Sequence, residues 1–268
     1  PAIAQRALRG HFRRRPGGTD SVMAKTPDNA PVPSGGSHEP ATTSTRAEID
    51  AFLEKVRGLG AAQAPGGRRG RLIFALDATM SRQPTWDTAC RLQADMFNET
   101  ASIGGLDVQL VYFRGLGECR ASRFVSDPRT LAGLMEQIDC RGGHTQIAKV
   151  LAHARRETEK TKVQALVYVG DAMEESIDDL CAKAGELGLL GVPVFMFQEG
   201  GDPVAENAYR EITRLSRGAY CRFNAGAANE LRELLRAVAA FASGGLNALG
   251  RLAASKNNQA LLLLEQLR

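Results

Sequence analysis

The run RLIFALDATMSRQPTWD, residues 71 to 87, stops an apolar stretch on an aspartate and follows it with hydroxyls at alternate positions: Asp77, Thr79 and Ser81. Alternate spacing on a loop turns three side chains to one side, so three oxygens can meet one small electrophile. Two further segments carry matching chemistry. CRGGHTQI opens a helix at Thr145 directly after a Gly-Gly turn, and VQALVYVGD ends on Asp171. Hydroxyls with a few carboxylates are the donors of a hard divalent cation, since Mg²⁺ takes oxygen ligands in near-octahedral array and keeps several waters. Asp77, Thr79, Ser81, Thr145 and Asp171 supply that set, and Gly142 and Gly143 are expected to let the backbone approach the ion. Hydroxyls add no negative charge, so the cation stays electrophilic toward one more acidic oxygen, which a ligand would bring. Each fragment alone has an ordinary reading: DATMS as a hydrogen-bonded turn, GGHT as a helix start with Thr145 as N-cap, G-D as a strand exit. Their joint occurrence, each at a strand end or helix start, is what makes the pattern specific.

Positioning such a set requires strands that end together. Near-continuous apolar runs at 72–77, 106–113, 163–171 and 192–198, with AYCRFN after them, alternate with helical patterns such as PTWDTACRLQADMFNETAS, TQIAKVLAHARRETEK and PVAENAYREITRLS. Continuous apolar strands alternating with helices indicate a parallel sheet covered on both faces, and ligands of such sheets bind beyond the carboxyl ends of the strands. The expected fold class is therefore α/β, a three-layer, doubly wound, Rossmann-like and mostly parallel sheet, with one short antiparallel edge strand near 119–124.

Around this domain the chain changes character. Residues 1–44 are expected to be disordered or a non-native extension, with Met23 as an alternative start and 1–22 outside the working protein; the stretch after Met23 is too rich in Pro, Gly and Ser to fold alone. Residues 45–70 read as a short amphipathic helix (Ile49, Phe52, Leu53, Val56) and a linker, 71–242 as the compact domain, and 243–268 as a C-terminal helix docked on it.

Composition narrows the function classes. The chain has 268 residues, 43% hydrophobic and 24% charged, a net charge of +4 and only 6% aromatics. Basic clusters at 9–15 and 66–71 without interleaved aromatics argue for solvated tails and against nucleic-acid binding, and no apolar run spans a bilayer. Five isolated cysteines suit a reducing cytosol and neither a disulfide framework nor a zinc knuckle. No phosphate-cradling glycine motif follows the first strand, so nucleotide binding lacks its signature.

On DATMS, GGHT and VGD, residues from about 71 to 241 resemble a von Willebrand factor type A domain of the intracellular bacterial type. The metal-ion-dependent adhesion site of that family is written D-x-S-x-S, then a Thr in a Gly-rich loop, then an Asp after a later strand; Thr79 stands where the family usually has Ser. The resemblance implies a cytoplasmic, non-enzymatic module holding Mg²⁺, with Mn²⁺ or Ca²⁺ as alternatives. Ser81, Thr145 and Thr79 would lie nearest the metal, the aspartates would act mostly through water, and an Asp or Glu of a partner protein would complete the shell. Arg82, Arg141, His144 and Glu174 fall in loops that would form a partner-selecting rim, while Trp86 reads equally as rim or as packing. Two rivals stand beside this reading. One is a haloacid-dehalogenase-like, Mg²⁺-dependent phosphohydrolase with Asp77 as nucleophile and Asp171 with Glu174 or Glu175 on the metal. The other is a scaffold whose metal site is vestigial. Against the hydrolase, Thr79 leaves DATMS without a second carboxylate, and the nearest lysines, Lys160 and Lys162, sit at a helix end.

Overall fold

The computed structural model describes residues 69–224, 227–255 and 257–267; the helix expected after residue 45 and the tail before it lie outside the described residues. Six strands form one sheet: β1 (Gly70–Asp77), β2 (Leu106–Arg114), β3 (Glu118–Val125), β4 (Ala165–Gly170), β5 (Val194–Glu199) and β6 (Ala219–Phe223). Their spatial order is β3-β2-β1-β4-β5-β6, and all neighbours run parallel except β3, which is antiparallel to β2. The protein is thus an α/β fold with a mostly parallel sheet, and its antiparallel edge strand is where the sequence places it.

Seven helices cover the sheet: α1 (Gln83–Thr100), α2 (Pro128–Glu136), α3 (Ile147–Lys160), α4 (Ile177–Leu189), α5 (Pro203–Ser216), α6 (Ala228–Ala254) and α7 (Asn258–Gln266) among the described residues. The two-residue period of a strand sorts the core between the layers. Leu72, Phe74 and Leu76 of β1 join a cluster with α1, α2, α6 and α7, while Ile73 and Ala75 join one with α3, α4 and α5. Because β1 and β4 are buried on both faces, residues 72–76 of β1 and 165–169 of β4 are apolar or aromatic, and the carboxyl ends of these strands are where polar chemistry surfaces.

Local signals set the helix limits. Asp127 precedes Pro128 and accepts from the Thr130 amide at 2.8 Å, and Asp202 precedes Pro203 and accepts from the amides of Val204 and Ala205 at 2.7 and 3.1 Å. The break expected at residue 243 falls inside α6, where Gly244 and Gly245 leave helical angles; Gly245 has φ 62° and ψ −159°, a region that only glycine reaches cheaply. Beyond the break, α7 packs against the domain. Leu263 and Leu264 are buried, and the Gln266 side chain accepts from the Tyr220 amide at 2.7 Å and donates to its carbonyl at 2.8 Å. The outer edge of β6 is thereby covered. Among the described residues no helix is long and apolar enough to cross a membrane.

Candidate metal centre

Between β1 and β4 the strand order reverses: the chain leaves β1 toward β2 on one side and later returns to β4 on the other. That switch point opens a crevice beyond the strand ends. A cavity of about 200 Å³ occupies it, and its lining includes Asp77, Thr79, Ser81, Thr145 and Asp171. The structure therefore brings together all five residues singled out as metal ligands. The Thr79 and Ser81 hydroxyls lie 3.3 Å apart, and Ser81 Oγ is 3.4 Å from Asp171 Oδ2.

The ordinary local readings of these residues are only partly realised. Asp77 does make a turn, its Oδ1 accepting from the Thr79 amide at 2.7 Å. The hydroxyls, by contrast, cap nothing. Thr79 precedes a 3-10 turn (Met80–Arg82) whose Arg82 amide donates to the Thr79 carbonyl at 2.9 Å while the Thr79 hydroxyl caps none of its amides, and Thr145 does not cap α3. That helix start is served from another segment: Glu175, after β4, accepts from the amides of Ile147 and Ala148. Beside it, Glu174 and Thr145 bond reciprocally, Glu174 N to Thr145 Oγ1 at 3.1 Å and Thr145 N to Glu174 Oε2 at 3.2 Å. The two glutamates lock the Thr145 loop to the Asp171 loop. Sequence reasoning missed the capping role of Glu175, because a cap supplied from 27 residues away leaves no local motif.

The rim residues divide. His144 is exposed and meets Glu174 Oε2 at 2.9 Å, and Arg141 is exposed, its amide donating to the Ala78 carbonyl at 2.9 Å. Arg82, expected on the rim, is instead turned inward. Its guanidinium pairs with Asp171 at 3.0 Å and with Glu199 at the end of β5, and its side chain is 12% exposed. The same Glu199 oxygen accepts from the Thr85 hydroxyl. A buried acid, Glu199, and a half-buried one, Asp171, at adjacent strand ends demand a counter-charge, and Arg82 supplies it. Trp86 is a packing residue, 2% exposed, with its indole N–H on the Met135 carbonyl. Burial pushes the Asp77 carboxyl up to about 6 against the pull of the Thr79 amide.

The two glycines differ in what surrounds them. A Cβ at Gly143 would lie 2.2 Å from the Gly115 carbonyl oxygen, so that glycine is needed where its loop presses on the β2–β3 turn; a Cβ at Gly142 would meet nothing within 4 Å. We expect Gly143→Ala to destabilise the protein by about 1–3 kcal/mol and Gly142→Ala to be near neutral, as read by urea unfolding. Equal midpoints for the two variants would contradict the packing account.

Among the described residues no cluster of three or more His, Cys, Asp or Glu side chains is arranged to hold a metal ion. A cation in this crevice would rest on a hydroxyl-rich donor set, and three hydroxyls that cap no helix, lying between two carboxylates, fit a hard cation of the Mg²⁺ type.

No protein-family model matches the sequence, and no curated protein does. Solved structures do resemble it. The SpRpn10 VWA domain aligns with 62% of this chain and 95% of its own at a TM-score of 0.51 and 11% identity. The fold is that of a von Willebrand factor type A domain. Two further solved structures align over a similar share of the chain. The pilus adhesin SpaC of Lactobacillus rhamnosus GG aligns over 67% of this chain and 30% of its own (TM-score 0.51, 11% identity). Proximal thread matrix protein 1 from mussel byssus, with a zinc-occupied MIDAS motif, aligns over 65% and 46% (TM-score 0.52, 15% identity).

Proposed function

We propose that this A domain is a non-catalytic protein-binding module acting through a divalent cation, Mg²⁺ or a close relative. Thr79, Ser81 and Thr145 would hold the ion, Asp77 and Asp171 would balance its charge, and an Asp or Glu of a partner protein would complete the shell. The observation that carries this reading is the set of three hydroxyls, from two chain-distant loops, that converge on one crevice and cap no helix. A bound cation supplies an electrophilic point for a carboxylate, and the protein's own residues fix where that point lies. Exposed apolar side chains support a docking surface here: Met80 lines the crevice and is 65% exposed, and Leu116, 86% exposed, sits on the turn that the Gly143 loop packs against.

The phosphohydrolase finds no support in the geometry. Glu174 and Glu175, its further metal ligands, are committed to backbone amides. Lys162 donates to the carbonyls of Leu190 and Gly191 and Lys160 pairs with Glu157, which leaves neither at the crevice.

The decisive experiment is thermal or urea unfolding of the full chain in metal-depleted buffer, then with Mg²⁺, Mn²⁺ or Ca²⁺. A ligand bound only by the folded state adds about 2.7 kcal/mol at a hundredfold excess over its dissociation constant. A saturable gain that Thr145→Ala and Ser81→Ala remove supports the site, and retention of acidic partners in Mg²⁺ but not after chelation supports the function. A response that is absent, or unchanged in both variants, favours the scaffold with a vestigial site.

A further inference from the structure

A second cavity, of about 260 Å³, opens between α3 and the outer strand β3, with Lys183 of α4 at its wall. Small apolar side chains, Ala121, Ala148 and Ala152 among them, leave its space open. Its walls carry Arg120, Lys149, His153, Arg156 and Lys183, and no carboxylate lines it. The helical period explains the convergence: positions 149, 153 and 156 fall on one face of α3, as i, i+4 and i+7 residues do.

The charges there are unevenly matched. Arg120 pairs with Glu118 at 3.0 Å, and Lys183 pairs with Asp179. The His153 ring is fixed by Gln109, whose Oε1 lies 2.9 Å from Nε2 and whose amide nitrogen donates to the Ser122 carbonyl at 2.8 Å. Among the described residues Lys149 donates only to the Gly117 carbonyl at 2.9 Å and the Gln146 side chain at 2.8 Å, and no described carboxylate pairs with it or with Arg156. Two unmatched cations at a concave site raise the local concentration of anions. The neighbouring edge is open as well: β3 is the outermost strand and, unlike β6 with its Gln266 clasp, has no described segment across its free side.

We infer that this cavity binds a multivalent oxyanion, a ligand with clustered phosphate or carboxylate groups, held chiefly by Lys149 and Arg156. The chemistry could reach the site as a free small polyanion or as the side chains of an acidic peptide. Neither the metal nor the adhesion-site residues take part, so the inference stands apart from the proposed function.

Calorimetric titration of the full chain tests it, in metal-depleted, chelator-free buffer at low ionic strength, because chelators are themselves polyanions. Inorganic pyrophosphate is the free-anion probe and hexaglutamate the peptide probe. The expected result is saturable binding that weakens with added salt and falls about tenfold or more in the Lys149→Gln/Arg156→Gln double variant, while Lys149→Arg/Arg156→Lys retains it. Tighter binding of hexaglutamate assigns the site to an acidic peptide, and tighter binding of pyrophosphate assigns it to a free polyanion. Both side chains are exposed, and unchanged melting of the variants excludes misfolding as the cause. Absence of saturation with either probe, or equal affinity in the wild type and the double-glutamine variant, overturns the inference.

Discussion

Arg82→Ala is expected to lower stability by about 3–5 kcal/mol, far more than a surface arginine would. The reason is the company it keeps. Glu199 is 5% exposed, and the described cation facing it is Arg82, which also reaches Asp171 at 3.0 Å. Removing the guanidinium leaves a buried carboxylate at the end of β5 with the Thr85 hydroxyl in place of a charge. Adding Glu199→Gln to Arg82→Ala should recover most of the loss, since an amide does not require a counter-ion. Urea unfolding of the two variants measures both numbers. The same arginine competes for Asp171 with any cation in the crevice, so the double variant should bind Mg²⁺ more tightly than the wild type in calorimetry. A loss below about 1 kcal/mol for Arg82→Ala would mean that the side chain behaves as an exposed one and would return it to the rim.

Asp77→Asn should make the metal-free protein more stable at pH 7 while removing its response to metal. In the fold the Asp77 carboxyl is raised from 3.8 to about 6, with burial as the first cause. A raised acid binds its proton more tightly folded than unfolded, so stability is highest below the unfolded value and falls as pH rises through about 6. The full shift corresponds to about 3 kcal/mol, of which about 1 kcal/mol is expressed between pH 5 and pH 7. In metal-depleted buffer the wild type should therefore lose about that much on going from pH 5 to pH 7, and Asp77→Asn should flatten this slope. The asparagine oxygen still accepts from the Thr79 amide, so the turn survives the change. A wild-type curve that rises over this range, or a variant no more stable at pH 7, would show that the carboxyl is better solvated than its position implies.

Asp77, Thr145 and Asp171 were legible in the sequence because strand ends and helix starts announce themselves locally, through an apolar run that stops or a glycine pair that turns. The alternation of buried runs likewise revealed the sheet, and the short polar piece near 119–124 revealed its antiparallel edge. Arg82 was misplaced for the complementary reason: its partners, 89 and 117 residues away in the chain, meet it only after the sheet has assembled. The packing need for a glycine at 143 was not legible, since it comes from Gly115 on another loop. Glu175 left no trace at all beyond being acidic. Residues whose roles depend on neighbours in sequence could be read; those whose roles depend on neighbours in space could not.

The position of β1 in the middle of the sheet also bears on how the protein is made. A ribosome that has completed β3 has delivered Asp77, Thr79 and Ser81, but Thr145 and Asp171 arrive later, and β4 must find β1 across a register that pairs Leu72 with Ala165. Such long-range pairing is slow to form. The crevice is thus a seam closed between an early and a later segment of the nascent polypeptide, absent until the strand that precedes Asp171 has docked on β1.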